Sequence, residues 1–241
     1  METKDIVKWW GIPKATIINK NLPKKQLFPH IKSVKEKQFL IDSVQSVYML
    51  ANFKTDNTNI LPFESVDELY IEIWFYYVKA KEKGNAEKIF KLLASLIPYP
   101  LVVLTEESET FTLYTGRFER QVNNYLKLEN SYPSRVFKSE EVELVLRNVV
   151  LSELPRQNFK VFYDGLRDEL TKQLAVEQYG GETSDITADE KDQLDELSKQ
   201  IDSLRRKIKK EKQLNQKIDM QMQLKKLKDE LQNLIKTRSE E

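Results

Sequence analysis

Residues 67–81 read DELYIEIWFYYVKAK, and the alternation from Leu69 to Lys79 spells a β-strand. Leu69, Ile71, Ile73, Phe75 and Tyr77 fall on one face, and Glu68, Tyr70, Glu72, Trp74 and Tyr76 on the other. Neither face is simply polar. A strand that is apolar on one side and aromatic on the other is covered on both, so this one is predicted to be central. Downstream, Gly84-Asn85 precede a helix over Ala86 to Ile97, with Ile89, Phe90, Leu92, Leu93 and Ile97 at helical spacing until Pro98 and Pro100 stop it. Leu101 to Thr105 and Thr110 to Thr115 read as two strands of a hairpin. Upstream, Lys35 to Val44 reads as a helix and Ser46 to Lys54 as a strand. The order strand, strand, helix, strand, strand predicts an α+β fold: a small, mostly antiparallel sheet flanked by helices, followed by a long C-terminal coiled-coil helix.

The chain ahead of this core is of another kind. Asp5 to Trp10 is a short helix closed by Gly11. In IPKATIINKNLPKKQLFPHI, residues 12–31, prolines 13, 23 and 29 rule out one continuous helix, while Leu22, Leu27, Phe28 and Ile31 anchor a wrapped segment with one short helix near Lys24 to Phe28. Behind the core, a helix is expected over Ser139 to Val150, with Val142, Leu144, Val145 and Val149 inward. A second runs from Asn158 to Gln178, with Val161, Phe162, Leu166, Leu170 and Leu174 as its stripe. GETSDITADE then reads as a linker. These boundaries give an α+β domain at 1–180 carrying a proline- and lysine-rich arm at 1–40, a linker at 181–188 and a coiled coil at 189–238.

In the last segment Leu194, Leu197, Ile201, Leu204 and Ile208 recur at steps of three and four, the seam of a coiled coil. The seam lapses at Glu211 and Asn215 and resumes at Leu224, Leu227, Leu231 and Leu234. Such a lapse marks a stutter, a polar layer or a bend between antiparallel helices. With no glycine or proline there, a continuous helix is expected. A lone seam would expose its leucines, so a partner is implied.

Composition narrows the chemistry. Of 241 residues, 40% are apolar and 32% charged, enough for a core of about 150–180 residues and little more. The absence of cysteine removes disulfides, thiolate metal sites and cysteine nucleophiles, and the single histidine, His30, cannot build a His-based metal site or relay alone. The six glycines are too scattered for a phosphate-binding loop. No metal site and no cofactor is expected. The start METKDIVKWWGIPK lacks a signal-peptide core, and Leu69–Val78 and Leu96–Leu104 are too short to span a membrane. A cytoplasmic protein without a membrane partner is expected. The net charge of +1 hides segregation: residues 1–40 carry +6, 41–187 carry −7 and 188–241 carry +2. The basic end is either a polyanion contact or an arm drawn to an acidic body.

Four constellations bear on function. Asp67, Glu68, Glu72 and Lys79 are the types that restriction-type nucleases place on adjacent strands to bind Mg2+ and activate water. The carboxylate-x-lysine triplet is missing, however, and Glu72 and Lys79, about 23 Å apart along a strand, face opposite ways. Tyr70, Trp74 and Tyr76 form an aromatic row that could stack on bases, though the interleaved glutamates would repel phosphate. Lys14, Lys20, Lys24 and Lys25 in the arm, and Arg205, Arg206, Lys209 and Lys210 in the tail, are the candidate nucleic-acid or partner contacts. The first 116 residues hold no arginine, so the arm suits non-specific backbone contact rather than base reading. The plain reading of the tail cluster is a solvated helix face.

IPKATIINKNLPKKQLF, DELYIEIWFYYVKAK, LLASLIPYPLVVLTE and KKEKQLNQKIDMQMQLKKLKDEL together resemble the bacterial domain-of-unknown-function family 4391. The likeness runs from the first proline into the tail, with Trp9-Trp10 and the stretch from Val122 to Pro155 departing from it. It carries no assigned chemistry. What it implies is an accessory of a restriction-modification-like antiphage complex, with a helicase or DNA methyltransferase of the same locus as partner. The leading expectation is a non-catalytic adaptor assembling through its coiled coil with such a partner or with itself. The alternative is a DNA-binding or degenerate nuclease-like subunit, and an enzyme using Glu68 or Glu72 as acid or base is a third reading.

Overall fold

The computed structural model describes residues 1–183 and 185–236, so residue 184 of the expected linker and residues 237 and 238 of the expected coiled coil lie outside the described residues. The chain falls into two compact units, Met1–Leu170 and Thr171–Glu241. The first runs α1 (Thr3–Trp9), β1 (Ile17–Asn21), α2 (Lys24–Leu27), α3 (Val34–Ser43), β2 (Val44–Lys54), α4 (Thr55–Thr58), β3 (Phe63–Glu64), β4 (Leu69–Tyr70), β5 (Glu72–Ala80), α5 (Ala86–Leu96), β6 (Leu101–Glu107), β7 (Thr110–Arg120), β8 (Leu126–Pro133), β9 (Phe137–Lys138), α6 (Val142–Asn148) and most of α7 (Phe159–Tyr179). The main sheet is ordered β1-β2-β5-β6-β7-β8, with β9 also on β7. Its pairs are antiparallel except β5 with β6, which α5 joins as a crossover.

β5 is central, between β2 and β6, as its two-sided covering predicts. On one face Phe75 meets Trp10, the C-cap of α1, edge-on at 5.3 Å and Phe53 at 4.7 Å, and Phe53 meets Phe162 of α7. The register Tyr76↔Val103↔Tyr114 defines the other face, where Phe90 of α5 stacks on Tyr114 at 5.4 Å. Local chemistry sets the helix ends. Ser33 caps α3 by accepting from the Glu36 N–H. At α5 the cap comes from the sheet: Glu107 Oε1 accepts from the N–H groups of Asn85 and Ala86 at 2.8 and 2.7 Å.

Several expectations are corrected here. The strand from Leu69 to Lys79 is interrupted at Ile71, which is 41% exposed. β4 pairs with β3 in a separate two-stranded sheet, and Tyr70 is buried against Tyr163 at 5.7 Å, away from the stacked Trp74 and Tyr76. The aromatic row is therefore not a single surface. α6 starts at Val142 after a 3-10 turn over Ser139–Glu141. That shift in phase turns Leu144 outward, 61% exposed, and buries Leu146 in its place. Val161 of α7 is likewise exposed.

The second unit comprises the end of α7, a 3-10 turn over Gly181–Thr183, α8 (Ala188–Lys210) and α9 (Leu214–Lys236). Thr183, Ile186 and Ala188 are buried within the stretch read as a linker. α8 opens with a capping box in which Thr187 and Glu190 serve each other's backbone N–H groups. The expected continuous helix is two helices. Glu211 is extended, φ −71 and ψ 131, and its Oε1 accepts from the N–H groups of Lys212 and Gln213, both at 2.7 Å. A carboxylate thus supplies the turn for which neither glycine nor proline is present. Ser198, Ile201 and Arg205 line a groove with Lys228, Leu231 and Gln232, and Leu194 clusters with Leu231 and Ile235. The early part of α8 therefore meets the late part of α9, and the two form an antiparallel hairpin.

Candidate functional site

The carboxyl ends of the parallel pair β5 and β6 carry a tyrosine–lysine–glutamate cluster, at the kind of edge where α/β sheets hold ligands. Tyr77 and Lys79, two residues apart, share a face of β5, and Glu106 arrives on β6 as the register partner of Lys79. The Tyr77 hydroxyl donates to Glu106 Oε2, Lys79 Nζ stands 3.8 Å from Glu106 Oε1, and Tyr48 stacks on the Tyr77 ring at 5.9 Å. Burial, and then the bond to Glu106, push the Tyr77 hydroxyl well above its ordinary range. It stays a proton donor that holds the carboxylate. The missing carboxylate-x-lysine triplet is here tyrosine-x-lysine, with the acid supplied by the neighbouring strand.

At the opposite end of β5 lies a second acid. Glu72 accepts from Asn52 Nδ2 at 2.9 Å and pairs with Lys54 Nζ at 3.3 Å, both from β2. Burial and a hydrogen bond to Glu72 raise the Tyr99 hydroxyl. Glu68 lies elsewhere again, 3.1 Å from Lys160 of α7, which also holds Asp164 at 2.7 Å. Burial works against the Lys160 charge, but its bonds to Asp164 and Glu68 prevail and raise its pKa. Asp67 offers its carbonyl to the Arg120 N–H at 2.6 Å. Glu68, Glu72 and Lys79 are therefore not brought together. Each of Glu68, Glu72 and Glu106 has its own lysine from an adjacent element. Among the described residues no group of three or more His, Cys, Asp or Glu side chains is set to hold a metal ion.

The family model for a domain of unknown function, DUF4391, matches residues 10–231, reaching across both units. The chain belongs to the DUF4391 family. No curated protein and no solved structure matches it. Among the described residues no helix is long and apolar enough to cross a membrane.

In this DUF4391 chain the basic candidates divide by environment. Lys14, Lys20 and Lys25 are exposed. Lys24 is turned inward: its Nζ donates to the Val44 carbonyl at 2.5 Å and to Ile41 at 3.5 Å, while Lys81 donates to the same Ile41 oxygen at 2.9 Å. Burial, then the nearby Lys81 charge, lower the Lys24 pKa. It serves the carbonyl end of α3. Arg205, Arg206, Lys209 and Lys210 are exposed in the last turns of α8, a place that suits cations on a helix dipole. Of the seam residues, Leu194 and Ile201 are buried, Leu197, Leu204, Ile208, Leu224, Leu227 and Leu231 half-buried, and Leu234 is 38% exposed. Sequence reasoning missed Glu106, Tyr48, Asn52 and Lys54. Each sits across a strand pair from its partner, and Tyr77-x-Lys79 was the one local signal.

Proposed function

We propose that this DUF4391 protein is a cytoplasmic, non-catalytic adaptor subunit of a bacterial restriction-modification-like antiphage complex. Its sheet unit is the scaffold, and its C-terminal coiled coil is the assembly device through which it joins a helicase or DNA methyltransferase of the same locus. One observation carries the reading. The α8–α9 hairpin leaves most of its leucine seam half-buried, and α9 has no fully buried residue, so the pair presents an incomplete core that a further helix would finish. The clusters on β5 favour scaffold over catalyst, because tyrosine replaces the acid of a carboxylate-x-lysine pair and Glu68, Glu72 and Glu106 each pair with a lysine. The test is purification of the tagged chain from its host at moderate salt, with mass spectrometry of what accompanies it. A stoichiometric helicase or methyltransferase, lost when residues 182–241 are removed from a chain that keeps its sheet-unit fluorescence, is the expected result. Retention of the partner by the shortened chain overturns it.

A second reading, a DNA-binding or degenerate nuclease-like subunit, is favoured by the exposed lysines 14, 20 and 25 and by the cluster from Arg205 to Lys210. Reversing Lys14, Lys20 and Lys25 to glutamate should then weaken binding to duplex DNA and reduce its salt slope by roughly 0.9 for each phosphate the arm no longer neutralises. Equal binding by the variant removes the arm from that reading.

A further inference from the structure

We infer that the helix which completes the hairpin is supplied by a second copy of this chain, docked antiparallel so that the tip of each hairpin lies on the root of the other. The inference rests on the reading of the C-terminal helices as an assembly device and names their occupant. Three observations support it. The first is apolar surface at the tip. Leu214, Ile218 and Met222 recur every four residues there, 70, 45 and 55% exposed. A hairpin in isolation would leave these in water.

The second is charge. Residues 189–196 of α8 carry five acids against one lysine, whereas residues 205–212 carry six basic residues against one acid. A two-fold axis parallel to the hairpins would set two such basic tips side by side. An axis across them, near Ile201, sets each basic tip on an acidic root, and the match is made twice because the interface is isologous. Like charge thus acts against the parallel arrangement while opposite charge favours the antiparallel one.

The third is size. Each helix has 23 residues, about 34 Å at 1.5 Å per residue, and two helices side by side are about 20 Å wide. The hairpin face is therefore roughly 700 Å², close to the ~800 Å² per partner of stable interfaces. Two hairpins make a four-helix bundle, the smallest arrangement that closes two half-covered seams.

Sedimentation velocity of the full chain tests this, with helix content checked by circular dichroism for every variant. The expected result is a dimer that weakens as salt rises. Arg205→Glu with Lys209→Glu, and separately Asp192→Lys with Glu196→Lys, should each raise the dimer Kd at least tenfold. An equimolar mixture of the two variants should recover association to within about threefold of the wild type, because each reversed end then meets its opposite. A wild-type chain that stays monomeric at about 100 µM overturns the inference. So does a mixture that fails to recover, or a tip reversal that tightens the dimer, which is the signature of parallel docking. A dimer that disappears on nuclease treatment assigns the basic tip to nucleic acid instead and also overturns it. The adaptor reading is judged separately: a wild-type chain that is monomeric yet still brings down the host helicase or methyltransferase leaves that reading standing while this one falls.

Discussion

The sheet unit and the helical hairpin bury their large apolar residues to very different extents. In the first, Ile73, Phe75, Tyr77, Phe90 and Leu93 are all at zero exposure, and each strand face is covered by elements of the same unit. In the second, α9 has no fully buried residue; Leu231 and Ile235 pack with Tyr179 against Ala175, Ile186 and Leu194, while Leu214 and Leu234 are exposed. A sheet with helices on both faces closes its own core, whereas two helices can only share a stripe. The difference is that the sheet unit completes its core from its own elements, while the seam of the hairpin stays half-buried at heptad spacing. All three tryptophans, Trp9, Trp10 and Trp74, lie in the sheet unit, so fluorescence follows that unit alone, and far-ultraviolet dichroism is weighted toward α8 and α9. The two halves can thus be disturbed and observed separately.

The largest effect is expected from Phe75→Ala, which removes a ring packed between Trp10 and Phe53 at the centre of the sheet. It should cost about 3–5 kcal/mol in the tryptophan-monitored urea transition. A loss below 1 kcal/mol would mean that the sheet core is not closed as described. Next is Tyr163→Phe. Its buried hydroxyl donates to the Leu101 carbonyl at 2.6 Å and accepts from the Gly116 N–H at 2.9 Å, linking α7 to β6 and β7. Both backbone groups lose their partner, so a loss of roughly 1–3 kcal/mol is expected, again in fluorescence. Leu231→Ala in the hairpin should cost only about 1 kcal/mol, because a half-exposed leucine has less transfer energy to lose. The loss should show in dichroism with the tryptophan transition unmoved. Coincident shifts in both signals would contradict the division into two units.

The legible parts of the fold were those written in local period. β2, α3, α5 and the hairpin of β6 and β7 follow from alternation, helical spacing and the prolines after α5. The sequence of β1 reads as part of a wrapped segment because Asn19-Lys20-Asn21 is polar and lies between prolines, yet an edge strand needs only one bonded side, and its bulge at Asn19, φ 45, absorbs the irregularity. β8 was missed because LKLENSYP shows no clean alternation. The turn at Glu211 was unreadable for a different reason. A single carboxylate caps the two following N–H groups, and no residue type announces that. Cross-strand pairs such as Lys79–Glu106 and Lys54–Glu72 are fixed by register, which a lone sequence does not state.

The smallest effect is one of pH and sharpens the contrast further, because it acts on the hairpin unit alone. Tyr179 donates to Asp195 Oδ1 at 2.6 Å, and Lys191, buried, reaches the other oxygen of that carboxylate at 2.7 Å. Burial, then the bond to Asp195, push the tyrosine up to about 12, against about 10 in an unfolded chain. A folded pKa above the unfolded one means that the native unit holds its proton more tightly. Its contribution is therefore complete below pH 10 and is lost as pH climbs from 10 to 12. Lysine deprotonation falls in the same window, so the wild type must be compared with Tyr179→Phe, which keeps the lysines and the ring but has no proton to lose. Between pH 9 and pH 11 the helix signal of the wild type should lose more thermal stability than that of Tyr179→Phe, with tryptophan fluorescence equal in the two. Equal losses in the helix signal would show that the bond to Asp195 does not hold the end of α7 to α8, and that the root of the hairpin is fastened by its apolar cluster of Ala175, Ile186 and Leu194 alone.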